Sequence, residues 1–278
     1  MADEPVRSRT ARRLAEEALV RVVHHYGGTP EFVLLGGLVP ELLCSSSGVI
    51  HAGTTDVDVQ VNLEIAAGAV QARRLEQALA NAEFEVDPKD IWRWQAEVDG
   101  RRAVVKFELL ADLDYAAQEA TVAFDECDRL GAVNLRGTGF AAQDFAPISM
   151  RARIGGMPYE VSVNVAGTAG FLLAKTAAAY GRRHEKDWYD IAFVLLHNDL
   201  GGPDQAARAT RFRFEGQFVG SIRTALDDLL ANFEHPDHQG PAAYARQRLI
   251  DDPGADDAQL RTDAVLAVRA FHAGLTGS

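Results

Sequence analysis

The chain is organised around residues 32–41, which read FVLLGGLVPE. The apolar run stops at Gly36 and Gly37, and Pro40 suits the first turn of a helix, where a missing N–H costs nothing. The pattern therefore predicts a strand, a Gly-Gly turn and a helix in direct succession. Glycines at such a turn let a phosphate approach the backbone closely.

Downstream of this turn, residues 56–61 read DVDVQV. Alternation on a strand places Asp56 and Asp58 on one face and the valines on the other. The two carboxylates would then lie roughly 6–7 Å apart along the strand. Like charges held that close favour a divalent cation between them, and oxygen ligands favour Mg²⁺. Taken separately, each motif also fits an ordinary turn or an exposed strand face.

The order of these motifs is more specific than either motif alone. A strand, a Gly-Gly turn, a helix and then an Asp-x-Asp strand resemble the signature of the polymerase-beta-like nucleotidyltransferase superfamily. The resemblance implies that Gly36 and Gly37 bind the triphosphate of an NTP. It also implies that Asp56 and Asp58 hold two metal ions.

Length and composition define the class of protein. The chain has 278 residues, 47% of them hydrophobic, which suffices for a sizeable core. We expect an α+β fold in which a mixed sheet is flanked by helices, with a catalytic core at residues 1–165 and a mainly helical domain at residues 166–278. No apolar run approaches the roughly 20 residues of a membrane span, so we expect a cytoplasmic protein.

The net charge of the chain restricts the kinds of partner that it can bind. A net charge of −12 argues against extensive electrostatic binding of nucleic acid, although a local basic cleft is compatible with this charge.

The two cysteines are too few for a disulfide framework and lack the spacing of a zinc site.

A third acid is predicted on a hairpin. Residues 91–98 and 101–110 are strand-like and are separated by Asp99-Gly100, a strong signal for a tight turn. Glu108 would share a strand face with Lys106, and a two-metal site needs a further carboxylate on a neighbouring strand. The alternative is that Glu108 merely pairs with Lys106 or faces solvent, and Asp112 is the substitute candidate.

A basic segment follows in the helical part. Lys175, Arg182 and Lys186 would share one helix face if the helical phase continued across Gly181. If Gly181 or the following residues turn, the basic cluster becomes a short loop between two helices. Either geometry could face an anion, and a solvated basic turn is the alternative.

The same region carries a narrower resemblance. A helical Ala-Lys, a basic stretch and then Lys-Asp-x-Tyr-Asp-Ile are similar to the carboxy-terminal signature of the AbiEii family of toxin nucleotidyltransferases. The matching residues are Lys175, Lys186, Asp187 and Asp190. The resemblance implies that Lys175 contacts the triphosphate, with Arg182 and Lys186 nearby, and that Asp187 supports the active site. It further implies a toxin role, an RNA acceptor and a cognate antitoxin partner.

Two positions depart from the family pattern. Leu38-Val39 stands where a Ser or Thr often follows the glycines, and residues 51–55 (HAGTT) stand where a basic residue is frequent. Thr54 and His51 could compensate for these losses.

From the motifs and the two resemblances together we expect a Mg²⁺-dependent enzyme that transfers a nucleoside monophosphate from an NTP. The alternatives are a small-molecule nucleotidyltransferase of the antibiotic-modifying type and an inactive module with this fold.

Overall fold

The computed structural model describes residues 9–61, 69–98, 103–125 and 127–277. In it β1 (Val33–Leu35) leads through a 3-10 turn at Gly36–Leu38 into helix α2 (Val39–Leu43). This is the strand, turn and helix that the sequence predicts. The turn forms because Gly36 adopts a φ of +77°, a conformation that is strained for residues with a side chain.

The chain divides into two units. The first comprises Met1–Val39 and Gly53–Ala166, and the second comprises Pro40–Ala52 and Gly167–Ser278. The chain thus leaves the first unit directly after the Gly-Gly turn and returns just before the Asp-x-Asp strand. Periodicity in the sequence does not predict this excursion.

The first unit is built on a mixed sheet. Besides β1, its strands are β2 (Asp56–Gln60), β3 (Glu85–Val86), β4 (Arg93–Val98), β5 (Ala103–Ala111), β6 (Thr121–Ala123), β7 (Gly131–Asn134), β8 (Phe145–Ile154) and β9 (Met157–Ala166). They run in the order β3-β4-β5-β2-β1-β9-β8, while β7 pairs with the end of β5 and β6 pairs with β7. The pairs β2–β5, β1–β9 and β5–β7 are parallel and the others are antiparallel.

The two faces of β2 differ as the alternation predicts. Val57 and Val59 are fully buried, whereas Asp56 and Asp58 are only half-buried. The apolar side chains of β2 belong to the core of the first unit, and this burial fixes the strand register, since a slip of one residue would exchange the faces. The register therefore presents both aspartates on the more accessible face.

Two of the antiparallel strand pairs of this sheet are β8–β9 and β4–β5. Gly155 and Gly156, with φ of +57° and +84°, join β8 to β9 in the two-residue turn for which paired glycines are suited. β4 and β5 pair in antiparallel register, Arg93 opposite Glu108. The turn predicted at Asp99-Gly100 lies outside the described residues.

Helices flank the sheet of the first unit. They are α1 (Arg9–Tyr26), α3 (Ala69–Asn81) and α4 (Gly139–Gln143). In α1, Leu14, Ala18 and Val22 recur at every fourth position and are all buried, which is the stripe expected of a helix packed on a core. α1 ends at Tyr26, and Gly27 follows with a φ of +76°.

The second unit is helical. After α2, its helices are α5 (Thr168–Arg182), α6 (Glu185–His197), α7 (Pro203–Arg213), α8 (Gly220–Asn232), α9 (Gln239–Asp251) and α10 (Asp257–Thr276). Helix α6 lies at its centre, since each of its residues from Asp187 to Leu195 is buried. The predicted α+β class with a mainly helical carboxy-terminal part is confirmed. None of the described helices combines the length and the apolar character needed to cross a membrane.

Segment 40–52 is fastened to the helical unit by side chains. Asp199 accepts hydrogen bonds from the Oγ of Ser45 at 2.7 Å and from the backbone N of Ser46 at 2.9 Å. The hydroxyl of Tyr189 accepts a hydrogen bond from the backbone N of Ala52 at 3.1 Å. These contacts hold the middle and the carboxy-terminal end of the segment on the rest of this unit.

Candidate functional site

The Gly-Gly turn and the Asp-x-Asp strand meet at Gly36 and Asp58. A Cβ atom added to Gly36 would lie 1.9 Å from Oδ2 of Asp58. The carboxylate therefore occupies the space that a side chain at position 36 would need. Leu35, the residue before the turn, pairs directly with Asp58 across β1 and β2, which explains this closeness.

The second glycine packs against Thr54. A Cβ atom at Gly37 would lie 2.8 Å from Cβ of Thr54. The Oγ1 of Thr54 accepts a hydrogen bond from the backbone N of Asp56 at 3.0 Å. Thr54, predicted as a nucleotide ligand, is 8% exposed and supports the turn and the start of β2.

The three predicted acids lie on one face of two neighbouring strands. In the parallel pair β2–β5, Asp58 is opposite Glu108 and Asp56 is opposite Lys106. Residues in register on adjacent strands point to the same side, with backbones about 4.8 Å apart. The tertiary structure thus brings Glu108 beside the Asp-x-Asp motif, as the sequence predicts.

Two of these acids have a basic neighbour. Glu108 accepts a hydrogen bond from Nε of Arg93 at 2.8 Å. Asp56 has the Nζ of Lys106 at 4.0 Å from its Oδ1. The sequence alternative paired Glu108 with Lys106, but the cation on Glu108 is Arg93, which comes from β4.

Asp112, the substitute for the third acid, has a structural role. Its Oδ2 accepts hydrogen bonds from the backbone N of Gly137 at 2.8 Å and of Gly139 at 3.1 Å. The carboxylate thereby organises the loop that enters α4. This engagement favours Glu108 over Asp112 as the third acid.

The acids can be compared with the needs of Mg²⁺. Their carboxylate oxygens are the ligands that Mg²⁺ prefers, and their strand positions place them on one face. Yet no group of three or more His, Cys, Asp or Glu side chains converges on a common point within the described ranges. The donor set fits the ion in kind, and Arg93 competes with a metal ion for Glu108.

The helical unit holds a different charged cluster, centred on Lys175. The Nζ of Lys175 lies 3.0 Å from Oδ1 of Asp187 and 2.8 Å from Oδ2 of Asp190. Both aspartates are fully buried, and Lys175 is only 6% exposed. The ammonium predicted to contact a triphosphate is therefore neutralised by two carboxylates of its own unit.

Arg182 completes this cluster. Its Nε and one terminal nitrogen donate to the two oxygens of Asp187 at 2.7 and 2.8 Å, a bidentate arrangement. Two carboxylates thus meet one ammonium and one guanidinium. Asp187 supports the packing of α5 against α6, and the nucleotide contacts predicted for Arg182 and Lys175 compete with these ion pairs.

The helical phase does not continue across the basic segment. α5 runs through Gly181 to Arg182, and Arg183 ends it in the left-handed conformation at φ +52°. His184 precedes α6, and Lys186 lies in its first turn. The single shared face for Lys175, Arg182 and Lys186 is therefore wrong, and the alternative of a turn between two helices is confirmed.

The charge states of the cluster follow from its contacts. Burial by itself would lower the pKa of Lys175, but the carboxylates of Asp190 and Asp187 outweigh burial and raise this pKa. Burial would raise the pKa of Asp187, but Lys175 and Arg182 outweigh it and hold this pKa below its ordinary value. Both groups are therefore charged at neutral pH.

His51 also belongs to this charged cluster, which differs from the position that the sequence predicted for it. We predicted that it compensates for a missing basic residue near the aspartates of β2. Instead its Nε2 lies 2.9 Å from Oδ1 of Asp190, and both side chains are completely buried. Its ring also contacts Phe193 and Tyr189 of α6, with centroids 4.9 and 5.1 Å away. No signal in the local sequence indicates this partner.

Comparisons with known proteins add a distant likeness. No family model matches the chain, and no curated protein matches it. Among solved structures, the chain is similar to an antigenic nucleotidyltransferase-like protein from Paracoccidioides brasiliensis, with 17% sequence identity and a TM-score of 0.43. The alignment covers 84% of this chain and 92% of that chain.

Proposed function

We propose that this protein is a metal-dependent nucleotidyltransferase that moves a nucleoside monophosphate from an NTP to an acceptor hydroxyl. One observation carries the proposal: the carboxylate of Asp58 lies against the α-carbon of Gly36 and in register with Glu108. A turn suited to phosphate and a set of hard oxygen ligands therefore lie next to each other. A site for a metal-bound triphosphate requires this juxtaposition.

The reaction would be a displacement at the α-phosphorus. The acceptor oxygen forms a bond to this phosphorus, the bond to the bridging oxygen breaks, pyrophosphate leaves, and the hydroxyl proton passes to solvent. The Gly36-Gly37 turn would bind and orient the phosphates through the backbone. Asp56, Asp58 and Glu108 would hold Mg²⁺, most simply two ions, which when bound neutralises charge on the triphosphate and the leaving pyrophosphate.

The test uses NTPs labelled at the α-phosphorus, each offered in turn with Mg²⁺ to total RNA and to a small-molecule extract. We expect label on one of the two acceptors and none when the label is on the γ-phosphate. Asp58→Asn should slow transfer at least a thousandfold, since several kcal/mol of transition-state stabilisation is lost.

A matched control is available for the third acid. Glu108 and Glu160 each pair with an arginine directly opposite on the neighbouring antiparallel strand. Glu108→Gln should reduce transfer strongly, whereas Glu160→Gln should leave it unchanged. Equal rates for Glu108→Gln and the parent would remove Glu108 from the site, and unchanged transfer in Asp58→Asn would overturn the proposal.

A second candidate function is an inactive binding module with this fold. The observation that favours it is the cationic partner on two of the three acids, Arg93 on Glu108 and Lys106 near Asp56. Absence of transfer to either acceptor with all four NTPs, together with NTP binding that is independent of Mg²⁺, would select this candidate.

The acceptor and the biological role belong to the same proposal. The AbiEii resemblance supports an RNA acceptor, a toxin role and an antitoxin partner, while a small-molecule acceptor is the alternative. Growth of cells expressing the parent should arrest, and cells expressing Asp58→Asn should grow normally. Label found on a small molecule, with RNA unlabelled, would select the alternative.

A further inference from the structure

Helix α7 exposes an aromatic ring that its packing does not use. Phe212 is 88% exposed, more than any other large apolar side chain in the described part of the chain. The packed face of α7 consists of Ala206, Ala207 and Thr210, all fully buried. Because the ring is exposed to this degree, its faces are accessible to a flat ligand.

Two arginines share the face of this ring. Arg208 precedes Phe212 by one helical turn and Arg211 is its neighbour, so the three fall at positions i, i+3 and i+4. Both arginines are exposed, and neither guanidinium has a carboxylate partner among the described residues. Asp204 and Glu215 are the acidic residues that flank this face along the chain.

Arg182 and Arg183 form another basic cluster of the helical unit, and both of these arginines have carboxylate partners. Arg182 is held by Asp187, and Arg183 donates to Oδ1 of Asp228 at 2.7 Å. The charge of these arginines is therefore compensated inside the protein. Arg208 and Arg211, by contrast, have no carboxylate partner among the described residues.

We propose that the surface formed by Arg208, Arg211 and Phe212, the α7 surface, binds single-stranded nucleic acid. Guanidinium groups bind phosphate oxygens in pairs, and an exposed aromatic ring stacks on any unpaired base. Local positive charge is complementary to a polyanion even though the whole chain carries −12. If the proposed nucleotidyl transfer holds, the bound strand is its acceptor.

The surroundings of Phe212 favour a base over an acidic protein partner. Protein interfaces cover an aromatic anchor with a continuous apolar patch. Here the immediate neighbours of Phe212 in the chain are Arg211 and Arg213, both exposed. A flat ring set among cations suits stacking between charged phosphates.

Binding is tested on the full chain, without NTP, by fluorescence anisotropy of a labelled single-stranded RNA of about 12 nucleotides, within the range that such surfaces cover. Phe212→Ala should weaken binding about tenfold, because stacking of one base is lost. The double variant Arg208→Ala/Arg211→Ala should weaken binding further and reduce the slope of log affinity against log salt by about 0.7 for each lost phosphate contact.

Matched controls separate the α7 surface from net charge and exposure. Arg223→Ala/Arg246→Ala removes the same charge from arginines that already pair with Asp227 and Glu185. Leu266→Ala removes an apolar side chain that is 56% exposed. Both controls should bind RNA like the parent, and all variants should keep the parent melting temperature because the altered side chains are exposed.

Three outcomes would overturn the proposal: no binding at low salt, equal weakening in the control double variant, or unchanged affinity in Phe212→Ala. If poly-glutamate competes for the α7 surface as strongly as unlabelled RNA does, the partner of this surface is an acidic protein and not a nucleic acid. The catalytic proposal fails separately, since Asp58→Asn should retain full RNA binding. Transfer to a small molecule without RNA binding would overturn only the α7 proposal.

Discussion

Arg93 and Glu108 face each other across β4 and β5, and Nε of Arg93 donates a hydrogen bond to Oε1 of Glu108 at 2.8 Å. The guanidinium also lies over the ring of Trp92, 4.4 Å from its centroid. A cation held in this way competes with a metal ion for the same carboxylate. The affinity of the proposed metal site therefore depends on a residue that is itself no ligand.

Removing this competitor should strengthen metal binding. We expect Arg93→Ala to bind Mn²⁺, measured by electron paramagnetic resonance, about threefold to tenfold more tightly, because a partly exposed ion pair is worth about 1 kcal/mol. Arg151→Ala is the control, since Arg151 faces Glu160 across β8 and β9 in the same way. Equal affinities in Arg93→Ala and the parent would show that Glu108 takes no part in metal binding.

The contact between Gly36 and Asp58 predicts a specific intolerance. Gly36→Ala should destabilise the protein by more than the roughly 1–2 kcal/mol that a positive φ costs, because its Cβ would collide with the Asp58 carboxylate. Gly48→Ala measures the backbone cost alone, since Gly48 has a φ of +69° and open space around it. Urea unfolding compares the two variants, and equal losses of stability would contradict the packing of Asp58 on Gly36.

The buried contact between His51 and Asp190 predicts a local loosening. His51→Ala leaves Oδ1 of Asp190 without this partner, which should cost about 1–3 kcal/mol. Hydrogen exchange should then become faster in residues 40–52. His235→Ala, at a side chain that is 63% exposed, is the control. Unchanged exchange in segment 40–52 would show that the segment is held by its other contacts.

The depressed pKa of Asp187 predicts the direction of acid sensitivity. Its carboxylate is charged in the folded state, so its stabilisation is complete above the ordinary value of 3.8 and is lost as the pH falls through the lower folded value. Asp187→Asn should lower the free energy of unfolding at pH 7 by about 3–5 kcal/mol, because Lys175 stays buried with one carboxylate fewer.

The same variant should lose part of the acid dependence. Between pH 5 and pH 2 the free energy of unfolding of Asp187→Asn should fall less steeply than that of the parent. Asp237→Asn, at a side chain that is 83% exposed, should follow the parent. Chemical denaturation at each pH measures the slopes, and parallel curves for Asp187→Asn and the parent would refute the assigned charge state.

The positions within each local motif were predictable from the sequence. Gly36 and Gly37 form a turn because a positive φ is open to glycine, and Asp56 and Asp58 share a face because strands alternate. Both are properties of a few consecutive residues. The strand that carries Glu108 followed from the hairpin signal, but its place beside β2 was expected only from the need of a two-metal site for a further carboxylate.

The partners of the charged side chains were not predictable in this way. Arg93 is 15 positions away from its partner Glu108 in the sequence, and His51 is 139 positions away from its partner Asp190. Lys175 was predicted as a phosphate ligand, since nothing near it in the sequence shows that two aspartates of α6 neutralise it. A charged side chain can pair with any oppositely charged one, so a sequence pattern does not identify its partner.

The sequence by itself thus determined the α+β class, the Gly-Gly turn and the strand face that carries the aspartates. Only the tertiary structure decided that segment 40–52 packs with the helices, that Lys175 is buried between Asp187 and Asp190, and that Arg93 holds Glu108. The reason is physical: backbone conformation and amphipathic faces follow from neighbours in the chain. Ion pairs and burial depend on which distant elements the folded chain brings together.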